Sequence, residues 1–467
     1  MSESARLGGL AEAEGLGGLT RRPRPAFGPR PTWLFSGALS LTIAYVALAV
    51  YISDPWRSEL EAAIGPIAAW LIPTLLAYIP ALIIGFLSFT LILSPYRFPR
   101  LHPPSGRWPE GEWPPVTLMV AALNEEEAIA PTIERIANLT YPGPIEVVLA
   151  DNNSTDRTAE LAEQTAQRLG LHYRRVFEKE MGKFKALNAA LATVSTPLVV
   201  SVDADTYLHR DALTYLISRV TSRPQGQRVC ACAGALVVEN QTANLLTRMQ
   251  GWDYRLGING IKRMQSAYNS ALVAQGAFSA YWTEDLRAVG GWPDAIGEDI
   301  VLTWTLLDKR GVVQYEPTAV GFTQVPEQVR RFMKQRSRWA RGMVEGIEAN
   351  PPQRQPRVLA KAVAGIDYLV PLLDIGYIFF WVPGVILFIF GYPLLVSWWS
   401  MLVIPITLLI YGLLRHWQER WVFSRLAINM EPDPRGFLSY LFGYQALTSA
   451  AALRGYAQSL TGVARRW

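Results

Sequence analysis

Leu198-Val199-Val200-Ser201-Val202-Asp203-Ala204-Asp205 decides how the middle of this chain is read. Residues 198–202 are apolar except for Ser201, the signature of a strand covered on both faces rather than one side-exposed to water. The strand stops at Asp203, and a second carboxylate follows two residues on. Working outward, residues 116–121 form a mostly apolar strand, and residues 125–139 carry helical periodicity. Residues 145–150 are a second strand, ending at Asp151. Asn153 and Ser154 offer cap oxygens for a helix to Leu169, closed by Gly170. Residues 183–193 predict another helix before the strand that opens this section. Strands and helices alternating in this way predict an α/β domain with a Rossmann-like, mostly parallel sheet and helices on both faces. Ligands of such sheets sit beyond the carboxyl ends of the strands. Asp151, Asp203 and Asp205 all fall there.

The flanks read differently. Half of the 467 residues are hydrophobic, and these concentrate at the two ends. Residues 33–51 lack charge and are long enough to span a bilayer, and residues 66–95 form a second, longer run. Arg21, Arg22, Arg24 and Arg30 precede the first; Arg97, Arg100 and Arg107 follow the second. The acidic loop 52–65 lies between them. The positive-inside rule puts both basic clusters and the central domain in the cytosol. Residues 368–390 and 394–414 predict two more spans around Gly391-Tyr392-Pro393, and residues 436–460, with Arg454, a weaker fifth. Arg454 and Asp374 either pair within the bundle or line a polar path.

The domain plan is therefore a mobile cytosolic tail (1–31), two spans (32–95), the α/β domain (96–325), amphipathic interface helices (326–365) and a C-terminal membrane region of two or three helices (366–467). The tail has no apolar core of signal-peptide type. The expected location is a plasma or inner membrane, crossed several times. A net charge of +5 without polybasic tracts gives no sign of nucleic-acid binding. Cys230 and Cys232 are too few for a zinc site and read as structural thiols.

Each candidate chemical group has a plain structural alternative. Asp203-Ala204-Asp205 suits a hard divalent cation bridging a diphosphate, and its place after a buried strand favours that over a loop cap. Asp151 can accept from a base or ribose; otherwise it caps a helix. Lys183, opening a helix after Gly182, is a phosphate partner or a solvated surface lysine. Asp299, after Gly297 and Glu298, is a helix cap or a general base that takes a proton from an acceptor hydroxyl. Gln335, Arg338 and Trp339 share one face of a basic, aromatic helix over 329–346. That helix reads as membrane-surface. Arg338 could also grip phosphate, and Trp339 offers a plate for a sugar ring.

Asp151, Asp203-Ala204-Asp205, Glu298-Asp299 and Gln335-x-x-Arg338-Trp339, in this order between transmembrane ends, resemble the processive branch of glycosyltransferase family 2. Its members include cellulose, hyaluronan, chitin, curdlan and poly-N-acetylglucosamine synthases. The resemblance implies a GT-A fold, with Asp151, Asn124 and Glu125 holding uridine. It implies that Asp203 and Asp205 bind UDP and Mg2+ or Mn2+, with Lys183 on the donor side. Asp299, beside Glu298, would be the base of an inverting transfer from UDP-GlcNAc or UDP-Glc. Gln335 and Arg338 would close over the diphosphate, and Trp339 would meet the acceptor, a growing polysaccharide that leaves through the membrane helices. The Gln275 to Trp282 stretch matches the family's acceptor segment through Gly276 and Phe278, but runs into Thr283 and Glu284 where many members carry a basic residue. Export subunits are not specified by the sequence. Two rivals are a non-processive transferase acting on a membrane lipid, and a channel with a nucleotide-sensing domain; an uneven number of spans argues against a transporter.

Overall fold

A computed structural model describes residues 31–94, 112–397 and 403–462. The expected tail, the basic cluster Arg97, Arg100 and Arg107, and part of the fourth predicted span lie outside these residues.

Eight strands among the described residues form one sheet in the order β3-β2-β1-β4-β7-β6-β8-β5. They are β1 (Val116–Ala122), β2 (Ile145–Asp151), β3 (Tyr173–Phe177), β4 (Leu198–Asp203), β5 (Thr206–Leu208), β6 (Val229–Val238), β7 (Phe278–Trp282) and β8 (Val312–Thr323). The first four in spatial order are parallel, as the alternating pattern predicts. β7 then runs antiparallel between β4 and β6, β8 is parallel to β6, and β5 closes the edge antiparallel to β8. Register fixes the rim: Ala122 lies opposite Asp151 and Ala121 opposite Asp203, so β1 holds the two aspartates on either side of its own end.

Successive residues of β4 serve opposite cores. Leu198, Val200 and Val202 pack on one face with Ile129, Leu213 and Phe278. Val199 packs on the other with Leu187, Tyr281 and Trp304. Burial of each such side chain contributes roughly 1.5–3 kcal/mol, which pins the strand against slippage. Ser201, the one polar residue in the run, is buried, and its hydroxyl reaches the Ser279 carbonyl of β7 at 3.5 Å.

Three helices among the described residues are long and apolar enough to cross a membrane: Pro31–Ile52, Pro66–Leu93 and Val358–Ile389. The first two pack together where Gly85 leaves room for the Tyr45 ring. They meet the α/β domain through Phe35 and Phe86 against Tyr268, whose hydroxyl shares a 2.6 Å hydrogen bond with Thr90. The segment expected as an acidic loop is instead the helix Asp54–Ile64. Its Trp56 and Leu60, four residues apart, form a stripe that buries completely, and Trp56 Nε1 donates to the Leu394 carbonyl at 2.8 Å.

The third apolar helix begins ten residues before the predicted span. The fourth prediction continues as the helix Val403–Gln418. Residues 436–460 fall on a helical run that includes Gln445–Leu460. Asp374 accepts from Ser449 Oγ at 2.7 Å and the Tyr456 hydroxyl at 2.8 Å, both on this last helix, while Arg454 is exposed.

Candidate active site

The D-A-D turn is held by backbone. Asp203 N donates to the Ala277 carbonyl of the segment entering β7, and Ala204 N to Ala121 of β1, both at 3.2 Å. Thr132 Oγ1 caps the Ala204 carbonyl at 2.6 Å. Asp203 and Asp205 are thereby presented at the carboxyl rim, each half-buried.

Glu125, in the loop after β1, joins them. Burial, reinforced by the charges of Asp205 and Asp203, pushes its carboxyl up to about 7. Burial and the Asp203 charge likewise lift Asp205 to about 6. Crowded carboxylates of this kind form an all-oxygen donor set that favours a hard cation. No cluster of three such ligands exists among the described residues, so a cation held by Asp203 and Asp205 would take further ligands from a bound diphosphate or water.

Lys183 opens the helix Lys183–Thr193, as expected, but its ammonium is already engaged. It donates to Asp203 and lies 4.0 Å from Glu298. Burial works against its charge, yet Asp203 and Glu298 outweigh this and hold it above the ordinary lysine value. Glu298 starts the helix Glu298–Asp308, and burial together with the Asp299 charge raises it to about 7, against the pull of Lys183. Asp299 accepts from Ile300 N at 2.9 Å and from Gly276 N at 3.2 Å. A Cβ on Gly276 would lie 3.0 Å from Lys183 Nζ, so this backbone runs close beside the lysine head.

Two expectations need correction. Asp151 is engaged within the fold, and the caps expected of Asn153 and Ser154 do not form. Asn153 turns with φ 62°, the helix starts only at Thr158, and Asp156 accepts from Thr158 N at 3.0 Å. Asp151 itself accepts from Ser154 N at 2.9 Å and from Arg175 Nε at 2.9 Å, fully buried. A nucleoside would have to share its remaining lone pairs. Asn124, exposed after β1, accepts from Thr155 N through Oδ1 at 2.8 Å. Phe278 is 0% exposed in the core, its ring filling the space over Gly234, and cannot touch an acceptor.

The interface helix is Val329–Ala349. It reaches the site through glycine: a Cβ on Gly342 would lie 2.7 Å from Gly297 Cα, and one on Gly346 2.8 Å from Ile300. Glu345 accepts from Ile296 N at 2.7 Å, fixing the turn before Glu298. Arg338 is exposed, with no hydrogen bond or ion pair among the described residues, and is free for an anion. Gln335 is half-buried and its Oε1 has no partner there. Trp339 is 36% exposed.

Sequence reasoning passed over Arg336, an "x" of the motif. Its guanidinium stacks 4.0 Å from the Trp339 ring, lies 3.1 Å from Asp253 and donates to the Tyr444 hydroxyl at 2.7 Å. Beside it, Tyr254 sits 6.4 Å from Trp339, centroid to centroid. Burial raises the Tyr254 phenol to about 12; Arg336 opposes this, while Asp253, Asp205 and Asp203 add to it. Lys183 thus links Asp203 to Glu298, and Tyr254 neighbours Trp339.

An α/β sheet with an acidic turn at its carboxyl rim and a carboxylate pair near it has the layout of a GT-A domain. Residues 117–290 match the family description "Glycosyl transferase family 2". The poly-beta-1,6-N-acetyl-D-glucosamine synthase of Staphylococcus epidermidis is 31% identical over 228 residues, covering 49% of this chain and 54% of the relative. That of Staphylococcus aureus (strain COL) matches to the same extent. The chain spans about half the length of these curated relatives. A mannosyltransferase from Pyrobaculum calidifontis, solved in complex with GDP-Man and Mn2+, shares the fold with a TM-score of 0.56 and 19% identity, covering 88% of this chain and 100% of that one.

Proposed function

We propose that this chain is an inverting, processive glycosyltransferase. It polymerises a β-linked polysaccharide from a UDP-sugar at the cytosolic face of a membrane and passes the product between its own apolar helices. Likeness to poly-N-acetylglucosamine synthases favours UDP-GlcNAc over UDP-Glc. The observation that carries the reading is the Gly342–Gly297 contact, which presses the Trp339 helix onto the turn bearing Glu298 and Asp299.

In this reading the terminal sugar of the acceptor stacks on Trp339 and directs a hydroxyl to Asp299. Asp299 takes the proton as the oxygen attacks the anomeric carbon from the side opposite UDP. One C–O bond forms, the bond to the diphosphate breaks, and an α-linked donor yields a β linkage. Asp203 and Asp205 would hold Mg2+ or Mn2+, which supplies positive charge beside the leaving diphosphate. Lys183 and Arg338 add cationic charge there, and Gln335 an amide donor. Glu125 and Asp151 line the nucleoside side.

The test is the full-length protein in detergent with UDP-GlcNAc and Mg2+ or Mn2+, followed by UDP release and product length. Long β-linked product is expected, with no turnover in a chelator. A glycolipid carrying a single added sugar would replace this reading with lipid glycosylation.

A further inference from the structure

Among the basic residues from Arg330 to Arg338 on the interface helix, Arg336 alone turns inward. Arg330, Arg331, Lys334 and Arg338 are exposed, as a membrane-surface helix requires, whereas Arg336 is buried. Its charge is met by Asp253, 3.1 Å away on the helical segment Asp253–Ile258, and by the Tyr444 hydroxyl, to which it donates at 2.7 Å. Tyr444 in turn donates to Asp253 at 2.9 Å. A buried arginine–aspartate pair closed by a tyrosine is, in its plain reading, a brace between the interface helix and its neighbours.

The rings around the guanidinium add something a brace does not need. Four lie near it among the described residues: Trp339 with its centroid at 4.0 Å, Phe332 at 5.4 Å, Tyr254 at 5.8 Å and Tyr444 at 5.9 Å. Phe332, Tyr254 and Tyr444 are buried and only wall the charge in. Trp339 lies nearest, and it is the ring left 36% exposed. The two residues are three apart on the helix, which brings the guanidinium over the indole within one turn.

An indole on a surface helix has several rotamers open to it, and a sugar that stacks on it bears the entropy of fixing one. A cation over the ring, itself anchored to Asp253 and Tyr444, removes that freedom before the sugar arrives.

We infer that Arg336 is a positioning residue for the acceptor: it holds the plane of Trp339 on which the terminal sugar stacks, and so governs saccharide binding without touching the saccharide. This rests on the reading of Trp339 as the acceptor platform.

The test compares Arg336→Lys and Tyr444→Phe with the wild type and Trp339→Ala, each full-length in detergent with UDP-GlcNAc and a β-1,6-linked N-acetylglucosamine oligosaccharide. Lysine keeps a cation for Asp253 but has no plane to lay on the indole. Its acceptor KM should rise about three- to tenfold, the cost of ordering one large side chain on binding, while the donor KM moves less than about twofold. Tyr444→Phe keeps the ring and removes only the hydroxyl that the guanidinium donates to. A smaller rise in the same constant is expected, and this variant carries the test if the lysine variant does not fold. Once Trp339 is alanine, adding Arg336→Lys, or Tyr444→Phe in its stead, should leave the acceptor KM where Trp339→Ala put it. A brace that serves only the fold would raise acceptor and donor KM together, or add its full effect on top of Trp339→Ala; either result overturns the assignment. An unmoved acceptor KM in Trp339→Ala, or a wild type that extends no oligosaccharide, refutes the acceptor reading itself. A raised acceptor KM in Trp339→Ala beside unmoved values in both Arg336→Lys and Tyr444→Phe refutes Arg336 alone.

Discussion

The contact between Gly342 and Gly297 gives the sharpest handle on this site. In Gly342→Ala the new methyl would lie 2.7 Å from Gly297 Cα and 3.1 Å from its nitrogen, where ordinary contact begins near 3.4 Å. Both atoms are backbone, so no side chain can swing aside. The interface helix must retreat from the Glu298 turn by the difference, about 0.7 Å, with the strain of overpacking at about 1–3 kcal/mol. The retreat separates Trp339 from Asp299 without touching the Asp203–Asp205 turn. Misplacement on the ångström scale can cost about 100-fold in rate. UDP release with acceptor present should therefore fall by one to two orders of magnitude, roughly 10- to 100-fold. UDP affinity, read by calorimetry, should change by less than about threefold, under 1 kcal/mol. Gly412→Ala is the control: its Cβ meets nothing within 4 Å, and replacing a helical glycine should be neutral or stabilising by up to about 1 kcal/mol. Wild-type turnover in Gly342→Ala would refute the idea that this contact sets the distance between base and platform.

Four further outcomes are expected. Asp299→Asn should lower turnover at least about 100-fold while UDP still binds, because only the proton acceptor is removed; unchanged turnover excludes Asp299 as the base. Trp339→Ala should depress chain elongation more than donor hydrolysis, and equal loss of both counts against acceptor stacking. Arg336→Met leaves the Asp253 carboxylate without its cation and should cost about 3–5 kcal/mol in thermal or denaturant unfolding; an unaltered melting curve would show the pair to be dispensable. Glu298, raised by burial to about 7, holds its proton more tightly folded than unfolded, so its contribution is full below the ordinary glutamate range and is lost as pH rises toward 7. Glu298→Gln should accordingly match the wild type in stability near pH 4.5 and exceed it by up to about 3 kcal/mol at pH 8; parallel curves at all pH values would disprove the shift.

The parallel half of the sheet was legible because each of its parts has a local cause. An uninterrupted apolar run makes β4, and glycines at 182 and 297 mark the starts of the helices bearing Lys183 and Glu298. The antiparallel half was not. β6 and β7 are buried at every position, so neither carries an alternation that gives its facing or direction. The same blindness misplaced Phe278, whose orientation is set by Gly234 on a neighbouring strand. Asp151 was misjudged because a left-handed residue at Asn153 delays the helix, a backbone choice that the side-chain pattern does not reveal. Arg336 and Asp253 are more than eighty residues apart in sequence, and only folding makes them a pair.

The last helix, Gln445–Leu460, is wedged between two parts of the molecule. Gly455 lets it lie against the Ser337 carbonyl on the interface helix, where a Cβ would come within 2.3 Å. Ser449 and Tyr456, on the same helix, quiet the Asp374 carboxylate inside the apolar bundle, and Tyr444 just before it steadies the guanidinium beneath Trp339. Without this segment, charged groups in both regions would lose their partners together.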